Sequence, residues 1–250
     1  MDTSKAPAAA ELASPIQRLC EEWYPKVHVA IFGDQYPRPT DSLQVVIEPK
    51  VVVEVGGDRV EVPAYAHEGV IRVSSESLAR MRDDYRGMLV HELTHISQRY
   101  RGVPDEAVWI REGIADYVRH KYYEKDIEAK LRLGPDGRLK GYPETASYLY
   151  GLQENRVKLA KQGYRQSYTV AAAFLFWLEE HANKNIVPVL NLALREHRYS
   201  ERLFGQFCGA PLDDLWRQFF DRSLPHQAGS PPRSTPVRRR PTPNSAFQVL

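Results

Sequence analysis

Two histidines four residues apart, the first followed directly by a glutamate, form the segment His91-Glu92-Leu93-Thr94-His95. On a helix, positions four apart stack on one face, so both imidazoles can reach a single point. Zn²⁺ accepts imidazole nitrogen at about 2.0–2.1 Å, and such a pair suits it. Glu92 projects one step round the helix, near enough to a metal-bound water to act on it without ligating the metal. Its role there is general base: it takes a proton as the water attacks a carbonyl and hands it to the departing amine.

Two nitrogens leave a catalytic zinc one protein ligand short of its usual three. The segment Trp109-Ile110-Arg111-Glu112-Gly113-Ile114-Ala115-Asp116-Tyr117 supplies a carboxylate at suitable spacing, and Glu112 completes the set. Gly113, beside it, is expected to let the histidine helix and the glutamate helix approach closely. Asp116 lies four residues on, on the same face, placed to accept the spare imidazole N–H of a ligand histidine and so fix its tautomer. An acidic pair four apart is, in isolation, more often a solvated helix face. Short motifs also arise by chance, so the weight rests on the two segments together.

These side chains need elements to hold them. Ser14-Pro15 reads as a helix start, with Ser as cap and Pro at the first helical position, for a short helix to about Trp23. Leu43 to Val55 reads as one strand, and Gly56-Gly57-Asp58 as a hairpin turn returning through Arg59 to Val62. Val70 to Val73 is a further short strand. It is a candidate edge to which an extended peptide could add by main-chain hydrogen bonds; its alternation also allows an internal strand. Helices follow over 77–85, 86–100 (with Leu89, Leu93 and Ile96 as its apolar stripe), 106–125, 164–182, 185–198 and 211–224. Strands followed by helices predict an α+β fold, a small N-terminal β-rich subdomain packed on a mainly helical C-terminal one. Trp109, Trp177 and Trp216 are assigned to the core. His67 and His120, as lone histidines, receive no role.

Met88 through Gln98, together with Trp109 through Arg119, resembles the plant basic secretory protein family and its microbial relatives. The similarity extends from the strand near Val70 through Gly163-Tyr164 and Ala171-Ala172-Ala173-Phe174-Leu175 to Leu212-Asp213-Asp214-Leu215-Trp216. The Glu-Gly-x-Ala segment is similar, more broadly, to the third-ligand helix of aminopeptidase-type gluzincins. The resemblance implies a zinc metallopeptidase with one Zn²⁺ per chain, a thermolysin-like active-site helix pair and cleft, and secretion. In related gluzincins a tyrosine on a later helix donates to the oxyanion. Tyr164 and Tyr168 are the candidates here; Tyr168 matches the family pattern better, with burial in the core as the alternative for either.

Composition bounds the rest. The 250 residues, 42% hydrophobic and 26% charged, suffice for one globular domain. The expected organisation is a flexible leader over 1–13, a catalytic domain over 14–224 and a Pro/Arg-rich disordered tail over 225–250. A net charge of +2, with the excess in the tail arginines, does not point to nucleic acid. Cys20 and Cys208 can form neither a thiolate zinc site nor a disulfide framework, and whether they pair is open. No apolar run is long enough to span a membrane, and the first residues lack the apolar core of a signal peptide. The expected partner is a peptide or protein substrate and the expected state a monomer. An endopeptidase is favoured; a non-catalytic binding protein on the same scaffold and a hydrolase of another amide are the alternatives.

Overall fold

The computed structural model describes residues 1–33, 36, 42–55, 57–81, 85–127, 162–165 and 168–223. The expected tail over 225–250 lies outside the described residues. The fold is α+β, with a three-stranded and a two-stranded sheet from the N-terminal half and helices before and after them in the chain.

Helix α1, Ala13–Phe32, runs well past the expected stop at Trp23 and carries Pro25 in its interior. A proline there costs about 3 kcal/mol by removing one backbone bond and crowding the preceding turn. Beyond it, however, Val27 and Ile31 are fully buried and Phe32 nearly so, each contributing about 1.5–3 kcal/mol of burial. The apolar stripe therefore carries the helix through. Because α1 packs on the histidine helix, the division into a β-rich N-terminal part and a helical C-terminal part is only approximate. Near the N-terminus Asp2 bridges to Val46, and Pro7–Leu12 form a 3-10 helix.

The single strand expected over 43–55 is two. Strand β1, Gln44–Glu48, and strand β2, Val51–Val55, are separated at Pro49-Lys50, where proline cannot donate to a ladder. Strand β3, Asp58–Val62, returns antiparallel to β2, as the turn sequence predicts, with Val55 opposite Asp58. Strands β4, Ala64–His67, and β5, Val70–Ser74, form a second hairpin, and β5 also pairs in parallel with β1. The sheet order β1-β5-β4 places the Val70 strand in the centre, so it is not an edge. The edges are β1, to which Asp2 adds a single bridge, and β4, a strand too short and too alanine-rich to stand out in the sequence.

After α2, Ser75–Met81, comes α3, Tyr85–Gln98, which carries the two histidines. It lies between α1, the β4–β5 hairpin and α4, Val108–Val118. Leu89, Leu93 and Ile96 are buried as expected. The chain continues from α4 into a π-helical turn, Arg119–Tyr123, where a plain helix to Lys125 was expected. Helices α5 (Tyr168–His181), α6 (Ile186–Arg195), α7 (Arg202–Cys208) and α8 (Leu212–Ser223) complete the described fold. Trp109 and Trp216 are buried and Trp177 is partly so. Cys20 and Cys208 are both free.

Gly113 does permit a close approach, but with a different partner. A Cβ there would lie 2.7 Å from Ala171 Cβ and 3.3 Å from the Ala171 carbonyl carbon. The glycine thus seats α4 on α5 rather than on α3. Gly87 plays the corresponding part on α3, where a Cβ would collide with the Glu124 carboxylate and lie 2.7 Å from Arg119 Nε.

Candidate active site and metal centre

His91 and His95 project from α3 toward Glu112 on α4. His95 Nε2 lies 3.1 Å from His91 Nε2 and 3.1 Å from Glu112 Oε2, and His91 Nε2 lies 3.4 Å from that same oxygen. Ligand bonds of about 2.0–2.2 Å in a tetrahedron separate neighbouring ligand atoms by about 3.3–3.6 Å. The three atoms, a little closer together than that, are grouped as one face of such a site would be, and the donor set fits zinc.

The opposite edges of the two rings are held by the protein. His91 Nδ1 donates to Asp116 Oδ1 at 2.7 Å, and Thr169 Oγ1 donates to Asp116 Oδ2 at 3.3 Å. His95 Nδ1 meets Gln98 Oε1 at 2.8 Å. With both Nδ1 atoms engaged as donors, both Nε2 atoms are left to face Glu112.

The electrostatics favour a positive charge at this point. Burial opposes the charging of His91, but its hydrogen bonds to Asp116 and Glu112 outweigh that and push its pKa up to about 10. Burial likewise works against ionised Glu112, yet hydrogen bonds from His91 and His95 hold its carboxyl well below the usual range. Asp116 is lowered in the same way, burial being overcome by the His91 hydrogen bond. In the metal-free protein a proton on His91 supplies that charge; a divalent cation bound by the three atoms would take its place.

Glu92, 8% exposed, lines the same cleft as His91 and His95. Tyr168, the first residue of α5, is 54% exposed and stands at the cleft with its ring 6.1 Å from that of His91. Burial, followed by the nearby Glu112 charge, raises its pKa, so the phenol keeps its proton and remains a donor. Tyr164 is fully buried, its hydroxyl donating to Asp213 at 3.1 Å, and packs against Trp109 and Trp216. The core alternative thus describes Tyr164 and not Tyr168.

Two further residues of the site are absent from the sequence reading. Gln98 touches His95 from three residues along the same helix, a spacing at which side chains meet, and that spacing was the available signal. Arg111 Nε donates to Glu112 Oε1 at 2.6 Å, which leaves Oε2 toward the histidines. His120, given no role, is 1% exposed, with Nδ1 3.1 Å from Glu124 and 3.0 Å from Asp126. These three residues also bring metal-ligating atoms together, but Glu124 already pairs with Arg119 at 2.6 Å. The group reads as an ion-pair knot fastening the π-helical turn beneath α3.

Compared with known proteins, residues 37–158 and 151–219 match the family model BSP, described as peptidase of plants and bacteria. The chain belongs to this family. Its resemblance to basic secretory proteins is thereby borne out. The family is one of peptidases, so the substrate class is peptide or protein and the reaction class is hydrolysis. No curated protein and no solved structure matches the chain. Among the described residues, no helix is long and apolar enough to cross a membrane.

Proposed function

We propose that this protein is a zinc-dependent peptidase of the gluzincin type, with a thermolysin-like active-site helix pair, and that it cleaves within peptide chains. The observation that carries the reading is the convergence of His91 Nε2, His95 Nε2 and Glu112 Oε2 within 3.4 Å of one another. One zinc per chain, when bound there, supplies Lewis acidity to the attacking water and to the scissile carbonyl.

The chain's own residues supply the remainder. Glu92 takes the proton from the attacking water and delivers it to the leaving amine. The Tyr168 hydroxyl, held protonated, donates to the carbonyl oxygen as charge develops on it. Asp116 and Gln98 keep the ligand rings from turning.

Strand β4 takes over the substrate-aligning role first assigned to the Val70 strand. Ser74 N donates to Pro63 O at 2.9 Å, and Pro63 stands opposite Ser74 in the β4–β5 register. Hydrogen-bonded positions alternate in antiparallel pairs. The backbone groups of Tyr65 and His67 therefore turn to β5, and those of Ala64 and Ala66 turn outward. No described strand pairs with that outer edge. An extended peptide pairing there by main chain alone enters a cleft of about 1600 Å³ that also holds His91, Glu92 and Glu112. An extended strand edge beside the site favours endopeptidase action.

The test is Glu92→Gln. The variant should bind one zinc per chain, as wild type does, and lose hydrolysis of a protein digest substrate by about 10²–10⁴-fold. Undiminished turnover would remove Glu92 from the mechanism. A wild-type chain that holds zinc but hydrolyses no substrate would favour a binding protein on the same scaffold.

A further inference from the structure

We propose that Gln98 is the positioning residue of His95: it senses the backbone of α4 and from it sets the tautomer of the histidine. The inference rests on the zinc site of the preceding reading but makes a claim about the metal-free chain as well.

Gln98 is 1% exposed. A buried carboxamide needs partners at both ends, because an unpaired polar group costs about 1–3 kcal/mol. Nε2 donates to the Arg111 carbonyl at 3.0 Å, and Oε1 lies 2.8 Å from His95 Nδ1. The direction of the amide follows from chemistry. A backbone carbonyl can only accept, so the NH₂ must face Arg111 and the amide oxygen must face His95. An amide oxygen can only accept in turn, so His95 Nδ1 carries a proton whatever the state of Nε2. Nε2, the nitrogen left for a metal, faces His91 Nε2 and Glu112 Oε2, each 3.1 Å away. Turning the amide over would set two carbonyl oxygens about 3.0 Å apart at Arg111 and break both bonds.

Arg111 closes the circuit. Its carbonyl takes the Gln98 amide, while its guanidinium holds Glu112 Oε1. One residue of α4 thus orients the second histidine through Gln98 and the glutamate directly. A carboxylate would serve His95 equally as acceptor, as Asp116 serves His91. At position 98, however, it would face the Arg111 carbonyl with no proton to offer. The site also holds Glu92, Glu112 and Asp116 already, and a neutral amide adds no fourth negative charge. The choice of glutamine over glutamate follows from the α4 backbone.

Long-range ¹⁵N–¹H NMR correlations on the metal-free, full-length protein read directly which ring nitrogens of His95 carry protons. Wild type should show a proton on Nδ1; a bare Nδ1 would overturn the proposal without any variant. Gln98→Leu should release that preference and weaken zinc binding by about 10–100-fold in chelator competition. Gln98→Glu, still an acceptor, should keep both the tautomer and most of the affinity, while melting earlier in the metal-free state. A Gln98→Leu protein that keeps the wild-type tautomer and zinc affinity refutes the assignment and reduces Gln98 to packing. If wild type binds no zinc, the zinc-peptidase reading fails, and the tautomer measurement still decides for or against Gln98.

Discussion

His91 and Asp116 face each other across two helices, with Nδ1 donating to the carboxylate at 2.7 Å. This bond joins the helix of His91 and His95 to the helix of Glu112. Removing it frees the ring to rotate and removes the charge that favours a cation at its far nitrogen. Asp116→Ala is expected to weaken zinc binding by about 10–100-fold, measured by chelator competition. Thr169→Val, which removes only the longer 3.3 Å bond to Asp116, is expected to cost less. Equal losses in the two variants would show that the Asp116 effect runs through packing and not through His91.

The pKa of His91, raised to about 10, gives zinc binding a pH dependence with a definite sign. The folded metal-free chain holds this proton more tightly than the unfolded chain, whose histidine titrates near 6.5. Its contribution to metal-free stability is therefore complete below about 6.5 and is lost as pH rises toward about 10. Zinc has to displace the same proton. Affinity should climb across that window by up to about tenfold per pH unit. Zinc titrations between pH 6.5 and 8.5 would reveal a flat profile if His91 were neutral before binding.

Tyr168 is exposed and makes a contribution only when a carbonyl oxygen lies against it. Tyr168→Phe should leave zinc content and melting temperature near wild type while lowering kcat by about 10²–10³-fold, in line with loss of one oxyanion donor. An unchanged kcat removes it from the reaction.

Gly113 and Gly87 both sit where a Cβ does not fit, but the obstacles differ. Opposite Gly113 stand the Cβ and carbonyl carbon of Ala171, which cannot yield without moving a helix; opposite Gly87 stand the tips of the Glu124 and Arg119 side chains. Gly113→Ala should cost about 1–3 kcal/mol by overpacking and, by shifting α4, should also lower zinc affinity. Gly87→Ala should cost less, since the ion pair can swing aside and alanine returns up to about 1 kcal/mol of helix propensity. Thermal or urea unfolding of the two variants settles the order.

Much of the candidate site was legible because it obeys local rules. His91 and His95 share a face by helical period, and so do Glu112 and Asp116, with no need to know what lies opposite. The β2–β3 hairpin was legible for the same reason, a short glycine-containing turn between two valine-bearing runs, although Asp58, read as part of the turn, pairs with Val55 in the ladder. Gln98 went unread because a buried glutamine matters only through its partners, and the Arg111 carbonyl belongs to another helix. His120 went unread although Glu124 stands only four residues on, because its burial and its contact with Asp126 depend on the π-helical turn, where a plain helix was expected.

The sequence by itself determined the residue types of the candidate site and their helical spacing, which depend on residues within a few turns of one another, and the family, whose pattern runs through most of the chain. The tertiary structure alone decided which strand forms the open edge, which helix fills the space at Gly113 and how far α1 runs past Pro25. Each of those outcomes is a competition between burial on distant surfaces and a local preference. Local pattern states the preference, and only the packed molecule, where no described strand covers the outer side of β4 and Ala171 lies against Gly113, shows which side prevails.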